Sequence, residues 1–571
     1  MTQRSHHCRR PVLFLVLGWF VLAAAVLAQT VSSPSLTLTL GSRNVATADP
    51  SLPRPQTTPC TVQLFSNFTF ADFSPKPFTY TPPASCPGPW AKVILEADFS
   101  VTAGRQFDRT AEIAIGHTNV YFGTTQEPSA TVSPSWHVER DLTDYSPLLQ
   151  VPQAGEVNLG NLVNPTFTGI LSGSAKVLFY PVAAGEGAPR TADVVLPLSD
   201  APGGAALLET TASVLAPTFA LPANIEGAFL DVVAQSQAGD EFWYVCVPDD
   251  VADELFSCGG TSFRETEVTI DGQPAGFAPI YPWIFTGGID PLLWRPTPGV
   301  ETLNFQPYRV DLTPFAGVLS DGQPHRVGVS VFNANHHFTV AASLLLYLDH
   351  GAPQVTGAVT HNTLDAAPRP HVAEDLTTAP DGTVTGTVTT KSERQYVLAG
   401  FVDTSHGRVE TTVRQQVIFS NIQDFVVGET VYRQNLRQTT RISAATETRD
   451  GGAVAVATTR LSFPLNLDFA FVVNADGTSA QTTTIDQRRD SEERAVSGGP
   501  PSLRQISNAV NTTDTLLFNA AGAVTGFQGR KSSQTYTAQS SSGSCYSRSI
   551  TAEDGLLTNV TDGQACAGHD R

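Results

Sequence analysis

Charged side chains are scarce in this sequence, and basic ones scarcest. Asp, Glu, Lys and Arg make up only 15% of the residues, and acids outnumber bases 53 to 34, a formal net charge of −19. No run of Lys or Arg offsets that balance, so a phosphate backbone would be repelled and nucleic acid is not an expected partner. Acidity of this kind favours solubility and carries no information on fold. Long segments with helical apolar spacing are missing as well, which argues against bundles and βαβ units. The common catalytic signatures are absent: there is no Gly-x-Ser-x-Gly, no His-Glu-x-x-His, no phosphate loop and no dinucleotide fingerprint. Cysteine is sparse, at 7 residues, and its spacing does not resemble a zinc site. His336 and His337 are adjacent, so on a strand they point to opposite faces and make a poor metal pair. No metal and no cofactor is expected.

What is present points to export and to β structure. Arg4, Arg9 and Arg10 precede an apolar run from Pro11 to Ala28 that ends Val26-Leu27-Ala28. This reads as a signal peptide over 1–28, removed after Ala28. The run is near the minimum for a membrane span, so the alternative is an uncleaved signal anchor. If the signal is removed the chain is secreted and has no stable membrane partner. Cys8 leaves with the signal, and the remaining six fall into sequence-local pairs, Cys60 with Cys86, Cys246 with Cys258 and Cys545 with Cys566. Six cysteines allow fifteen pairings, of which this is the simplest. An oxidising compartment would preserve such bonds. Asn67, Asn511 and Asn559 stand in glycosylation sequons, which matter only in an exported chain.

The length of 571 residues exceeds a single core and suggests three or four units of roughly 150 residues. Val93, Leu95, Ala97, Phe99 and Val101 alternate as in a half-buried strand, and Leu461 to Phe471 repeats that period over a longer run. Thr-Val repeats at 383–390 favour strands by β-branching, and Asp271-Gly272 after Val268-Thr-Ile270 marks a hairpin. The 40 prolines and 45 glycines punctuate many short strands. The expected architecture is all-β: an irregular leader at 29–57, tandem antiparallel jelly-roll-like β-sandwiches at 58–185 and 186–350, and a Thr-rich β domain at 351–571. A polar break is expected inside that last part, at Ser491–Pro501.

Three stretches place charge beside aromatic rings and glycine: Gly104-Arg105-Gln106-Phe107-Asp108-Arg109, Gly239-Asp240-Glu241-Phe242-Trp243-Tyr244, and Tyr281 through Pro296. Carboxylates among aromatics suit acid–base hydrolysis and sugar recognition. Each stretch taken alone also fits surface charge and packed aromatics, the common case.

Together these stretches resemble the amidase A family of peptide:N-glycosidases, known from plants, fungi and some bacteria. The resemblance includes Pro77–Pro83, Thr124-Thr125-Gln126-Glu127-Pro128, Trp136, Phe263-Arg264-Glu265 and Val310–Phe315. Its most specific element is Thr286-Gly-Gly-Ile-Asp-Pro-Leu-Leu-Trp-Arg-Pro296. It is close from about Pro59 to Asp349 and looser beyond, with a more distant likeness to bacterial peptide:N-glycosidase F, built of two eight-stranded sandwiches. The resemblance implies hydrolysis, without a metal, of the amide between an asparagine side chain and the first N-acetylglucosamine of an N-glycosylated peptide or protein. It implies Asp108 as the catalytic carboxylate, with Arg109 orienting it or the substrate. The second acid of the distant relative corresponds here to Gly260, a departure from the pattern, so Glu241 is taken as its substitute. Arg264 and Arg295 become candidate substrate ligands, and Trp243, Trp283 and Trp294 candidate stacking platforms for sugar. The alternatives are a secreted glycan-binding protein without catalysis and a structural cell-wall protein.

Overall fold

The computed structural model describes residues 37–563 and Cys566. The signal segment at 1–28 and the first residues of the leader lie outside the described residues. Everything else of size is antiparallel β-sheet. The alternating run of Val93 to Val101 lies in strand Trp90–Val101, where all five apolar positions are buried. This strand sits in a four-stranded sheet ordered Cys60–Phe70, Leu171–Pro181, Trp90–Val101, Ser135–Asp141. A second sheet, Lys76–Tyr80, Gln153–Asn158, Thr110–Ile115, Thr118–Thr124, covers its apolar face. Side chains that alternate on one strand can fill only one interface, so the two inner faces make one core.

A second pair of sheets follows. One is built on Ile225–Ser236 and Phe338–Leu348, the other on Glu265–Ile270 and Pro324–Phe332. The Asp271-Gly272 hairpin is a two-residue turn: Ile270 pairs Gln273, and both turn residues have positive φ, 51° and 79°. That is the turn whose twist suits an antiparallel pair.

Residues 356–562 form an eleven-stranded sheet, largely an up-and-down meander, whose longest strands, such as Val384–Thr404 and Gly407–Val427, hold 21 residues. At about 3.4 Å per residue such a strand spans roughly 70 Å. Leu461, Phe463, Leu465 and Leu467 point inward and join the core of the second sheet pair. Ser491–Ser497 do not break the sheet as expected. They continue strand Ser479–Ser497, and only 498–501 form the turn. Cross-strand pairing on both sides, with Asp490 opposite Ser507 and Glu492 opposite Gln505, carries the polar segment through.

The inner face of the long sheet is not wholly apolar. Buried amides reach across to loop backbone of the sandwiches: Asn421 Nδ2 donates to Tyr244 O at 2.8 Å, Gln423 Nε2 to Cys246 O at 3.1 Å, and Gln487 Nε2 to Pro282 O at 2.7 Å. Gln487 Oε1 also accepts the Val300 N–H at 2.8 Å. Loop carbonyls removed from water must find donors, and the sheet supplies them. The described part of the leader, without strands, threads between sheet and first sandwich, with Ala48 N–H donating to Gln534 Oε1 at 2.7 Å.

Two disulfides close, Cys246–Cys258 and Cys545–Cys566. Cys60 and Cys86 depart from expectation. They are neighbouring free thiols, not joined, and the Cys86 thiol approaches Phe179 O at 3.7 Å. Asn67, Asn511 and Asn559 are all exposed.

Candidate active site

Asp108 is placed by its neighbours in the chain. The loop before it is tied to residues 162–169: Thr168 N–H donates to Arg105 O at 2.9 Å, and Gln106 Nε2 to Leu162 O at 2.9 Å. Just after it, Arg109 and Thr125 exchange bonds, Arg109 N–H to Thr125 Oγ1 and Thr125 N–H to Arg109 O, both 2.9 Å. This pairing brings Glu127 beside Asp108. Thr286 of the second sheet pair's long loop then stitches in. Its hydroxyl donates to Thr125 O at 2.8 Å and accepts the Glu127 N–H at 3.1 Å.

The next residue, Gly287, lies directly over both acids, and its backbone N–H favours the charged form of the Asp108 carboxyl. A Cβ at Gly287 would fall well inside contact distance of both Asp108 Oδ1 and Glu127 Oε1. One small gap therefore has both carboxyl oxygens on its wall, and only a residue without a side chain can cover it. The loop is kept in shape by Trp294 Nε1 donating to Gly288 O at 2.9 Å and by Gln126 Nε2 donating to Trp294 O at 3.0 Å.

Glu241 enters from a third direction. It follows the short 3-10 turn Ala238–Asp240 and is half-buried. Beneath it Asp240 and Arg264 form an ion pair at 3.0 Å with both side chains fully buried. Asp240 Oδ2 accepts the backbone N–H groups of Asn335, His336 and His337, while Arg264 Nη1 donates to the carbonyls of Gly260, Thr261 and Phe263. A buried charge pair survives only when its remaining valences are satisfied, and here three loops satisfy them.

The electrostatics follow from this crowding. Burial pushes the Asp108 carboxyl up to about 6, against the pull of backbone N–H groups and Arg109. Burial and then the charge of Asp108 push Glu127 up to about 7, and the same two causes push Glu241 up to about 7. Charging one acid disfavours charging the next. Asp108 therefore ionises first, while its neighbours still hold protons. Two guanidiniums flank the group. Arg295 Nη2 donates to Glu127 Oε2 at 3.0 Å and Arg109 Nη2 to Gln106 Oε1 at 3.0 Å, and the Nε of each is buried without a partner among the described residues.

Of the residues singled out from sequence, Asp108, Arg109, Glu241 and Arg295 come together. Arg264 does not: it is sealed beneath the site with its donors occupied. Trp243, Trp283 and Trp294 are 1%, 6% and 0% exposed, packed in the core with Phe419 against Trp243 and Phe305 against Trp283. None turns an open ring face to solvent as a sugar platform would. The exposed ring beside the acids is Phe107, 47% exposed and tilted against Phe167 at 5.1 Å. Glu127, Gly287 and Phe107 stood in the resembling segments without a role. Glu96, His137 and Glu139 also gather ligand atoms within 4.8 Å, but Arg54 bridges both glutamates there and supplies the compensating charge.

Residues 49–363 match the family model described as peptide N-acetyl-β-D-glucosaminyl asparaginase amidase A. The chain is 30% identical over 479 residues to peptide-N4-(N-acetyl-β-glucosaminyl)asparagine amidase A from Prunus dulcis, an alignment covering 80% of this chain and 82% of that protein. Among solved structures it resembles PNGase F from Flavobacterium meningosepticum at 12% identity and a TM-score of 0.35, over 51% of this chain and 96% of that one, a likeness too slight to carry an argument. Over more than half its length, this chain belongs to the peptide N-acetyl-β-D-glucosaminyl asparaginase amidase A family.

Proposed function

We propose that the chain, a peptide:N-glycosidase by family, cleaves the asparagine side-chain amide with Asp108 as base and Glu241 or Glu127 as acid. The observation that carries this reading is the meeting of three carboxyls whose environments separate their proton affinities. Asp108 takes a proton from water as the oxygen attacks the amide carbon. The free Nε–H groups of Arg109 and Arg295 and the charge they carry stabilise the oxyanion. The C–N bond then breaks, and the leaving nitrogen takes a proton from the neighbouring carboxyl. The products are aspartate in the peptide and a glycosylamine, which hydrolyses to ammonia and free glycan. The substrate is an N-glycosylated peptide or protein, with Phe107 beside Asp108 as the exposed ring on which it rests.

Incubating the protein with an N-glycopeptide in 18O-water and weighing the peptide tests the reaction. Asparagine converted to aspartate carrying one 18O is the expected product. A peptide that keeps a sugar, or an untouched glycopeptide across several glycan types, would overturn it. The chain's place in the secretory pathway is part of the same proposal. Two disulfides and three exposed sequon asparagines support it, and among the described residues no helix is long and apolar enough to cross a membrane. N-terminal sequencing of the mature protein, expected to begin after Ala28, decides between removal and anchoring.

A further inference from the structure

The loop that carries Gly287 and Arg295 also rests on the long C-terminal sheet. From strand Ser502–Phe518, Thr512 Oγ1 donates to Leu293 O at 2.7 Å. Two residues on, Asp514 points at the same loop, and its carboxyl lies close enough to that of Asp290 for the two to interact. Both residues are 1% exposed. Asp290 Oδ1 accepts the Leu292 N–H at 2.8 Å. The other Asp290 oxygen and both Asp514 oxygens are buried with no hydrogen-bond donor among the described residues. Two carboxyls so placed cannot both ionise, and the arrangement is satisfied when they hold one proton between them.

The backbone is shaped for this approach. The ladder between Ser502–Phe518 and Val524–Ser540 runs in register to Thr513–Lys531 and resumes at Thr515–Gln528, which leaves an irregularity at Asp514, across from Gly529 and Arg530. Gly529 has φ +67°. Bulges of this kind re-aim a side chain. The charged groups around the pair are Arg530, from the neighbouring strand, and beyond it Arg295, Asp554 and Arg43.

We propose that Asp514 is a positioning residue for the amidase: by sharing one proton with Asp290 it clamps the Gly287–Arg295 loop onto the C-terminal sheet, which holds Gly287 over Asp108 and Arg295 on Glu127. The proposal rests on the reading of Asp108 and Glu127 as the reaction centre. Burial, and then the neighbouring Asp290 carboxyl, pushes the Asp514 carboxyl up to about 8. For an acid whose folded value is raised, the stabilisation is full below its unfolded value and is lost as pH rises through the folded one. The clamp therefore holds at neutral pH and opens above it.

Asp514→Asn replaces the shared proton with an amide that donates to Asp290 at every pH, whereas Asp514→Ala removes the partner. Thermal midpoints are measured from about pH 6 to about pH 9, with kcat and KM at about pH 6. The wild type is expected to lose several degrees more than Asp514→Asn between about pH 7 and about pH 9. Asp514→Ala is expected to lower kcat at least about tenfold with KM changed less than about threefold, and Asp514→Asn to restore most of that loss. Parallel thermal curves for wild type and Asp514→Asn would overturn the shared proton. Wild-type kcat in folded Asp514→Ala would overturn the positioning. If Asp514→Ala does not fold, Asp290→Asn decides: a flattened thermal curve supports the clamp and a wild-type curve overturns it. The thermal measurement does not depend on turnover, so it stands apart from any failure of the amidase reading.

Discussion

At the scale of single residues, the proposed reaction depends on Asp108 losing its proton before its neighbours do. Asp108→Asn keeps the shape and the Gly287 contact but removes the base, so turnover should fall by about a thousandfold or more while the thermal midpoint holds, the range expected for a group that moves the reacting proton. Near-wild-type turnover in a folded Asn variant would remove Asp108 from the reaction. The pH dependence has a definite sign. Below about 6 Asp108 is protonated and cannot accept from water, and above about 7 Glu127 and Glu241 give up the proton the leaving nitrogen needs. A narrow bell in kcat/KM, with limbs near those values, is expected from initial rates across the range, and a rate still climbing above pH 8 or so would contradict the assignment of the acid. The stretches around Asp108 and Glu241 stand out in the sequence because glycine and aromatic residues flank each acid, and the role proposed for Asp108 comes from the family resemblance. Glu127 does not stand out, since its partner Arg295 lies 168 positions away and no local pattern joins them. The three tryptophans were misread for the opposite reason. Their neighbours in sequence look like a sugar site, but their burial is set by Phe419, Phe305 and other distant residues.

At the scale of elements, the site is held by loops that strands carry to a common place. The strands were legible wherever one face is buried and the other wet, as in Trp90–Val101, and at the Asp271-Gly272 hairpin, where turn chemistry alone defines the geometry. The polar segment from Ser491 resembles a break in the sequence because period-2 signals vanish when both faces of a strand carry polar residues. Pairing with neighbours on each side, which sequence does not display, keeps it extended. The loop from Thr286 to Pro296 has no period at all, and its shape comes from Thr286, Gln126, Trp294 and the long sheet together. Gly287 is its narrowest point. Gly287→Ala should drive a methyl group into Asp108 and Glu127 and cost about a hundredfold or more in kcat/KM, because a displacement of about 1 Å at reacting groups is enough for a loss of that size. The circular dichroism spectrum should be unchanged. An alanine variant with full activity would show that the loop does not cover the acids. The Asp240–Arg264 pair acts on a different quantity. Arg264→Met leaves a buried carboxylate with only its N–H donors and should destabilise the fold by about 3–5 kcal/mol, read by denaturant unfolding. A variant as stable as wild type would mean that Asp240 does not need its partner.

At the scale of the whole molecule, the C-terminal sheet is a continuous backing to which loops around the candidate site are fastened through Asn421, Gln423, Gln487 and Thr512, and strand Glu265–Ile270 through Arg394, buried in ion pairs with Glu265 and with Glu267, at 2.6 Å for the second. This assembly buries many acids. Burial pushes Glu112 up to about 7, joining Asp108, Glu127, Glu241 and Asp514, and raises Glu265 well above the usual carboxylate range. Each contributes stability that is full below its unfolded value and fades as pH climbs through the folded one. His137 acts in the same direction. Burial alone would depress it, but hydrogen bonds to Asp98 and Glu139 push it up to about 9, so its stabilisation is present below its unfolded value and lost toward about 9. A smaller opposing group, Asp98 held down by its bond to His137 and Asp562 by Arg548, stabilises only above the ordinary carboxylate value and fails on acidification. The two sets cross in mild acid. The thermal midpoint should therefore peak near about pH 5 to 6 and fall steadily toward about pH 9, which scanning calorimetry in matched ionic strength measures directly. The surface reinforces the trend, since a chain at −19 gains still more negative charge as those acids ionise, and self-repulsion grows with it. A midpoint that rises between about pH 6 and about pH 9 would mean that the buried acids are already ionised in the folded protein, and the proton order on which both the reaction and the loop clamp depend would fall with it.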